Sequence, residues 1–199
     1  MAVLVGKPAP DFTATAVLGN NEIKEITLSS FTKGKYSVIF FYPFDFTFVC
    51  PTELIAFDHR LEEFKKRNVE VIGVSIDSEH AHIAWKNTPV EKGGIGPVRY
   101  PIVADVRHLI ARAYDVESAG GMAFRGSFLI DKGGVVRHQV VNDLPLGRNI
   151  DEMIRMVDAL QFNEEHGEVC PAGWTKGKAG MKDTAQGVAT YLSAHAKEL

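Results

Sequence analysis

The run Tyr36-Ser-Val-Ile-Phe-Phe-Tyr42 is β-branched and aromatic with almost no polar interruption. A segment of this kind reads as a strand buried on both faces, which demands layers of structure above and below it. Pro43 ends it, since proline cannot donate to a strand ladder. The hydrophobic period then changes. Leu54, Phe57, Leu61 and Phe64 recur at three- and four-residue spacings, predicting one amphipathic helix over residues 52–67. Val69-Glu-Val-Ile-Gly-Val-Ser-Ile76 predicts a second buried strand, and residues 79–87 a short helix. Residues 88–97 contain Gly93-Gly94-Ile95-Gly96 and read as a loop. A strand near residues 100–103 and a helix near residues 107–114 follow. Gly126-Ser-Phe-Leu-Ile-Asp131 and Val135-Val-Arg-His-Gln-Val-Val141 flank a Lys-Gly-Gly turn and predict a hairpin. A helix over residues 149–160 aligns Ile150, Ile154, Val157 and Leu160 on one stripe. Near the N-terminus, Pro8 and Pro10 block regular structure, and Gly19-Asn20 suits a hairpin turn.

Strands alternating with helices before a closing hairpin predict an α/β fold, a central mixed sheet flanked by helices on both faces. Residues 164–199 are rich in Gly, Ala, Lys and Glu and poor in Ile, Val and Leu. They read as an arm rather than core. The expected organisation is one domain over residues 1–163 and a C-terminal arm over residues 164–199.

The formal charge of −3 leaves no excess of Lys and Arg to neutralise phosphates, so nucleic acid is not an expected partner. The longest apolar run, over residues 38–44, is too short to span a bilayer. The opening Met-Ala-Val-Leu-Val-Gly-Lys-Pro-Ala-Pro lacks the basic start and cleavage site of a secretory signal, so a cytoplasmic location is expected. Two cysteines, Cys50 and Cys170, make neither a disulfide scaffold nor a four-cysteine zinc site. They matter, if at all, as reactive thiols. Pro51 is tolerated in a first helical turn, which puts Cys50 at or beside a helix N-terminus. The unpaired amides and helix dipole there favour thiolate over thiol. A buried core cysteine is the bland alternative. Thr47 lies one turn back from Cys50 if the helix starts early, with its hydroxyl toward whatever approaches the sulfur; it is otherwise an ordinary cap. Asp77 and Asp105 follow strands and are expected to cap helices. His80 and His82 are expected as a solvated surface pair, not a metal site. Trp85 and Trp174 are expected as packing residues.

Pro43-x-x-x-Thr47-x-x-Cys50 resembles the active-site signature of the peroxiredoxins, and Phe46-Thr-Phe-Val-Cys50-Pro-Thr-Glu53 is similar to its form in typical two-cysteine members. Gly167-Glu-Val-Cys170-Pro-Ala-Gly-Trp174 resembles the resolving-cysteine segment of that family. Phe124-Arg125-Gly126-Ser-Phe-Leu-Ile-Asp131 resembles its arginine-bearing strand, and Gly147-Arg148-Asn-Ile-Asp-Glu its later arginine segment. These motifs occur in order along essentially the whole chain.

The resemblance implies a thioredoxin-like fold and reduction of hydrogen peroxide and organic hydroperoxides, with no cofactor and no metal. It implies that Cys50 is the peroxidatic cysteine and that Cys170, from a partner subunit, resolves it as an intersubunit disulfide. Arg125, Thr47 and Pro43 are implied as the remaining site residues, with Glu53 and Arg148 holding Arg125. The implied partners are a hydroperoxide substrate and either thioredoxin or a flavoprotein disulfide reductase as electron donor. The implied assembly is a homodimer, commonly five to a decameric ring. In sensitive members a Gly-Gly-Leu-Gly loop and a Tyr-Phe pair slow the opening of the cysteine turn. Ile95 and Leu192 depart from those motifs, so milder over-oxidation is expected. Two other readings compete, a chaperone-like ring and a protein thiol–disulfide oxidoreductase. The second lacks a Cys-x-x-Cys spacing at Cys50.

Overall fold

The computed structural model describes residues 2–199. The apolar run becomes strand β3 (Tyr36–Phe41), buried at every position. It pairs in parallel with β4 (Val69–Ser75) and antiparallel with β6 (Arg125–Ile130). The expected hairpin joins β6 to β7 (Val136–Asn142). On the opposite side β5 (Ile102–Ala104) runs parallel to β4. The antiparallel pair β1 (Thr13–Val17) and β2 (Ile23–Thr27) closes that edge. The sheet has seven strands in the order β2-β1-β5-β4-β3-β6-β7, mixed as expected.

Successive residues of a strand face opposite sides of the sheet. Phe40 and Phe41 therefore show that both faces are covered. Phe40 stacks on Phe57 of helix α2 (Cys50–His59), with ring centroids 4.0 Å apart. Phe41 meets Tyr114, just after helix α5 (Leu109–Ala113), at 5.2 Å. Helix α1 (Leu28–Phe31) is a single turn after β2.

The helix expected over residues 52–67 is two helices, α2 and α3 (Leu61–Lys66), parted at Arg60 with φ −101° and ψ 3°. Leu54, Phe57, Leu61 and Phe64 are buried on both sides of the break, so the apolar stripe runs through it and its period holds no trace of the interruption. Helix α4 (Glu79–Asn87) starts where expected, but its cap is Ser78, whose hydroxyl accepts from the Ala81 N–H. Asp77 is not the cap; its carboxylate accepts from the Asp45 N–H at 2.9 Å and the Ser75 hydroxyl at 2.8 Å. Asp105 does serve the start of α5, accepting from the Ile110 and Ala111 amides at 3.1 and 2.8 Å. His80 is exposed, but His82 is fully buried and so is not half of a surface pair. Residues two apart on a helix point to opposite sides, and His82 shares its inward face with Trp85 and Lys86.

The chain forms two compact units, the first ending at Ile150 and the second running Asp151–Leu199. Nearly all of helix α6 (Ile150–His166) belongs to the second, together with helix α7 (Ala185–His195). Within that unit Val169 and Met181 exchange backbone hydrogen bonds of 2.9 and 3.0 Å. The loop they close is filled by Trp174, which packs on Phe162 at 4.8 Å and donates its indole N–H to the Lys178 carbonyl.

Candidate active site

Strand β3 delivers the chain to buried Tyr42 and Pro43, and a short loop then leads to the first residue of α2, which is Cys50. Pro51 occupies the first turn and Val49 is the cap residue. Thr47 therefore precedes the helix instead of lying within it. Cys50 has no exposed surface. At a helix start its sulfur meets the positive end of the peptide dipoles.

Sheet pairing brings the first arginine to this point. Phe40 is opposite Ser127, so continuing the antiparallel register past the end of β3 sets Arg125 beside Tyr42. Its Nη1 lies 3.4 Å from Cys50 Sγ and 2.7 Å from Glu53 Oε2, while its Nε donates to the Leu144 carbonyl at 2.7 Å. Glu53 is three residues after Cys50 on α2, which places both side chains on one helix face.

Glu53 also holds the second arginine. Arg148 Nε reaches Glu53 Oε1 at 2.9 Å and its Nη2 reaches Oε2 at 2.8 Å. Its Nη1 donates to the carbonyls of Phe41 and Gly126 at 2.8 and 2.9 Å, and its planar group lies over the Phe40 ring at 5.1 Å. The Glu53 side chain is 2% exposed and those of Arg125 and Arg148 are 4% exposed. Buried charges persist only where they are paired and hydrogen-bonded, and each of these three is. The cluster can hold one arginine rigidly against a sulfur and direct its N–H groups at an incoming anion or polar oxygen.

Pro43 is buried and Thr47 half-buried. The Thr47 hydroxyl donates to the Phe44 carbonyl at 2.9 Å, which leaves its lone pairs free to accept. The structure thus brings Cys50, Glu53, Arg125 and Arg148 into direct contact and fixes Thr47 in the loop before them. The carbonyls of Phe41, Gly126 and Leu144 could not be foreseen, because a backbone oxygen has no sequence signature. A buried network of Tyr42, Asp45 and His82 was also missed. The Tyr42 hydroxyl donates to Asp45 Oδ1 at 2.8 Å, and His82 Nδ1 is 2.8 Å from Asp45 Oδ2. Its one signal was His82 falling on the same stripe as Trp85.

Cys170 lies in the second unit, half-buried, with its thiol 3.4 Å from the Ala159 carbonyl. Both cysteines are free thiols. Burial pushes the Cys170 thiol up, and the nearby Arg155 guanidinium partly opposes it. Among the described residues no cluster of His, Cys, Asp and Glu is arranged to hold a metal, and no helix is long and apolar enough to cross a membrane.

Residues 5–139 match the AhpC/TSA family model, and residues 159–194 match that of the C-terminal domain of 1-Cys peroxiredoxin. The chain is 62% identical over 198 residues to alkyl hydroperoxide reductase C of Helicobacter pylori, covering 99% of this chain and 100% of that one. It is 52% identical to peroxiredoxin-1 of Gallus gallus over 190 residues, covering 95% of each. The reduced 2-Cys peroxiredoxin of Plasmodium vivax superposes with a TM-score of 0.94 at 47% identity, covering 96% of this chain and 100% of that one. These likenesses run through both of the compact units and include the strand and helix that carry Cys50. The chain therefore belongs to the AhpC/TSA family, the peroxiredoxins, and is a thiol-dependent peroxidase with a thioredoxin-like fold.

Proposed function

We propose that Cys50 is the peroxidatic cysteine and Cys170 the resolving cysteine of this peroxidase, acting on hydrogen peroxide and organic hydroperoxides. The observation that carries this is Arg125 Nη1 at 3.4 Å from a sulfur seated at a helix start. The Cys50 thiolate attacks one peroxide oxygen and the O–O bond breaks. Cys50 becomes a sulfenic acid, and the second oxygen leaves as hydroxide or alkoxide and takes up a proton. Arg125 stabilises charge as it passes from sulfur to the departing oxygen. Thr47 accepts a hydrogen bond from the peroxide, Pro43 keeps bulk water out, and Glu53 and Arg148 hold Arg125. Cys170 then displaces water from the sulfenic acid, giving a Cys50–Cys170 disulfide. A thioredoxin or a flavoprotein disulfide reductase returns both thiols.

In this reading Cys170 comes from the partner of a homodimer, and five dimers close a decameric ring. Recycling a disulfide at every turnover suits the reducing cytoplasm. The test is one equivalent of hydrogen peroxide added to fully reduced protein, followed by a non-reducing denaturing gel and intact mass. A covalent dimer is expected, absent in both Cys50→Ser and Cys170→Ser. A monomer with an internal disulfide overturns the dimer geometry. Two free thiols after peroxide overturn the cycle.

Arg155 bears on the resolving step. It opposes the burial that raises the Cys170 thiol, and it donates to the Trp174 carbonyl at 2.8 Å. Only the thiolate attacks. In Arg155→Met burial stands unopposed, so thiolate becomes scarcer at neutral pH. Disulfide formation at pH 7 is expected to slow about threefold, with the rate–pH curve moved to higher pH. Stopped-flow Trp174 fluorescence measures it, and an unmoved curve contradicts it.

Tyr191 and Leu192 lie on α7. Removing residues from Tyr191 onward is expected to lower the sulfinate formed at Cys50 under excess peroxide. Mass spectrometry after a peroxide series reads this, and equal inactivation of both forms rules out α7 as a brake.

A further inference from the structure

Asp77 is left without a role by the cycle above, although it reaches the loop that carries Pro43 and Thr47. Its Oδ2 accepts from the Asp45 N–H at 2.9 Å. The same oxygen accepts from the Ser75 hydroxyl at 2.8 Å, and the Asp77 N–H donates to Ser75 Oγ at 3.2 Å. Asp77 is thus held at the end of β4 by its own neighbour and aimed across at the loop.

The peptide bond between Phe44 and Asp45 is planar, so its N–H and its carbonyl turn together. Asp77 grips the N–H, and the carbonyl of that same unit is the acceptor for the Thr47 hydroxyl at 2.9 Å. One peptide plane therefore links a carboxylate in the turn after β4 to the Thr47 hydroxyl. The loop needs such a restraint. It reverses at Phe46 with φ +55°, a left-handed conformation that a bulky side chain adopts only when its surroundings enforce it. Asp45 is held on its other side as well, with its carboxylate fixed between Tyr42 and His82.

We propose that Asp77 is a positioning residue for the peroxidase reaction, orienting the Thr47 hydroxyl through the Phe44–Asp45 peptide. The proposal deepens the functional reading and rests on its assignment of Thr47 as the acceptor for the peroxide proton. With the peptide fixed, the Thr47 O–H stays directed at the Phe44 carbonyl and its oxygen offers lone pairs to substrate. Without Asp77 the plane is free to turn. The hydroxyl then loses its acceptor and no longer presents the correct side.

The test is a double-mutant cycle on kcat/KM for hydrogen peroxide. Thr47→Val is expected to lower it by about 10². Asp77→Ala is expected to lower it by about tenfold, since misplacement of one group suffices for such a loss. In the double variant the Asp77 change adds nothing beyond Thr47→Val, because the group it orients is gone. Asp77→Asn keeps an oxygen for the Asp45 N–H and recovers most of the rate. Alkylation of Cys50 by iodoacetamide does not use the Thr47 hydroxyl and keeps its rate in Asp77→Ala. If that variant does not fold, Ser75→Ala replaces it, with a loss of about threefold that likewise vanishes in the Thr47→Val background.

Losses that multiply in the double variant overturn the proposal, as does a wild-type rate in Asp77→Ala. Alkylation falling in step with peroxide turnover does so too, for it shows a general disturbance of the site. An unchanged rate in Thr47→Val removes the assignment of Thr47 itself, and Asp77 loses its role with it.

Discussion

Arg125→Met is expected to lower kcat/KM for hydrogen peroxide by about 10²–10³, the scale of losing a fixed donor to developing charge. The guanidinium touches three things at once: Cys50 Sγ, Glu53 Oε2 and the Leu144 carbonyl. Its direction is therefore set before substrate arrives, and no reorganisation is needed during attack. Arg125→Lys separates charge from shape. A lysine keeps the charge as a single point but cannot satisfy all three contacts together. Its activity should fall between wild type and Arg125→Met. In both variants Glu53 keeps its two-oxygen pairing with Arg148, so the fold survives. A loss below tenfold in Arg125→Met would contradict the role proposed for Arg125.

The largest expected stability effect belongs to Glu53→Ala. Removing this carboxylate leaves two buried guanidiniums without the group that pairs with both of them. Breaking a buried ion pair from one side typically costs about 3–5 kcal/mol. That is a large part of the margin by which a domain is folded. Glu53→Gln keeps an oxygen and the side-chain length but loses the charge, and it should destabilise less. Urea unfolding of both variants separates charge from hydrogen bonding, and a wild-type midpoint for Glu53→Ala defeats the prediction.

Legibility from sequence followed the range of the interaction. The strands at residues 36–42 and 69–76 and the short helix at residues 79–87 were readable, because hydrophobic period is a local property. The break at Arg60 was not, since Leu54, Phe57, Leu61 and Phe64 form the same stripe with or without it. Cys50 at a helix start followed from Pro51 beside it. The meeting of Arg125 and Arg148 at Glu53 did not follow from any spacing. It depends on β6 pairing with β3, strands far apart in the sequence, and only the resemblance in motif anticipated it. Asp77 shows the opposite failure. An aspartate between a strand and a helix is usually a cap, but Ser78 took that place and freed Asp77 for the loop.

The buried charge cluster sets a condition on when the site can open. Two guanidiniums share one carboxylate, so Arg125, Arg148 and Glu53 together carry one surplus positive charge. A Cys50 thiolate brings the group to neutrality. The proposed attack converts that sulfur to an uncharged sulfenic acid and restores the surplus, in a place almost closed to water. The first turn of α2 would then lose the pairing between a charged sulfur and Arg125. In the proposed cycle that is the moment at which the turn unwinds to present Cys50 to Cys170. On the proposed cycle, loss of charge balance would be a release keyed to the chemistry, tied to the step that consumes peroxide.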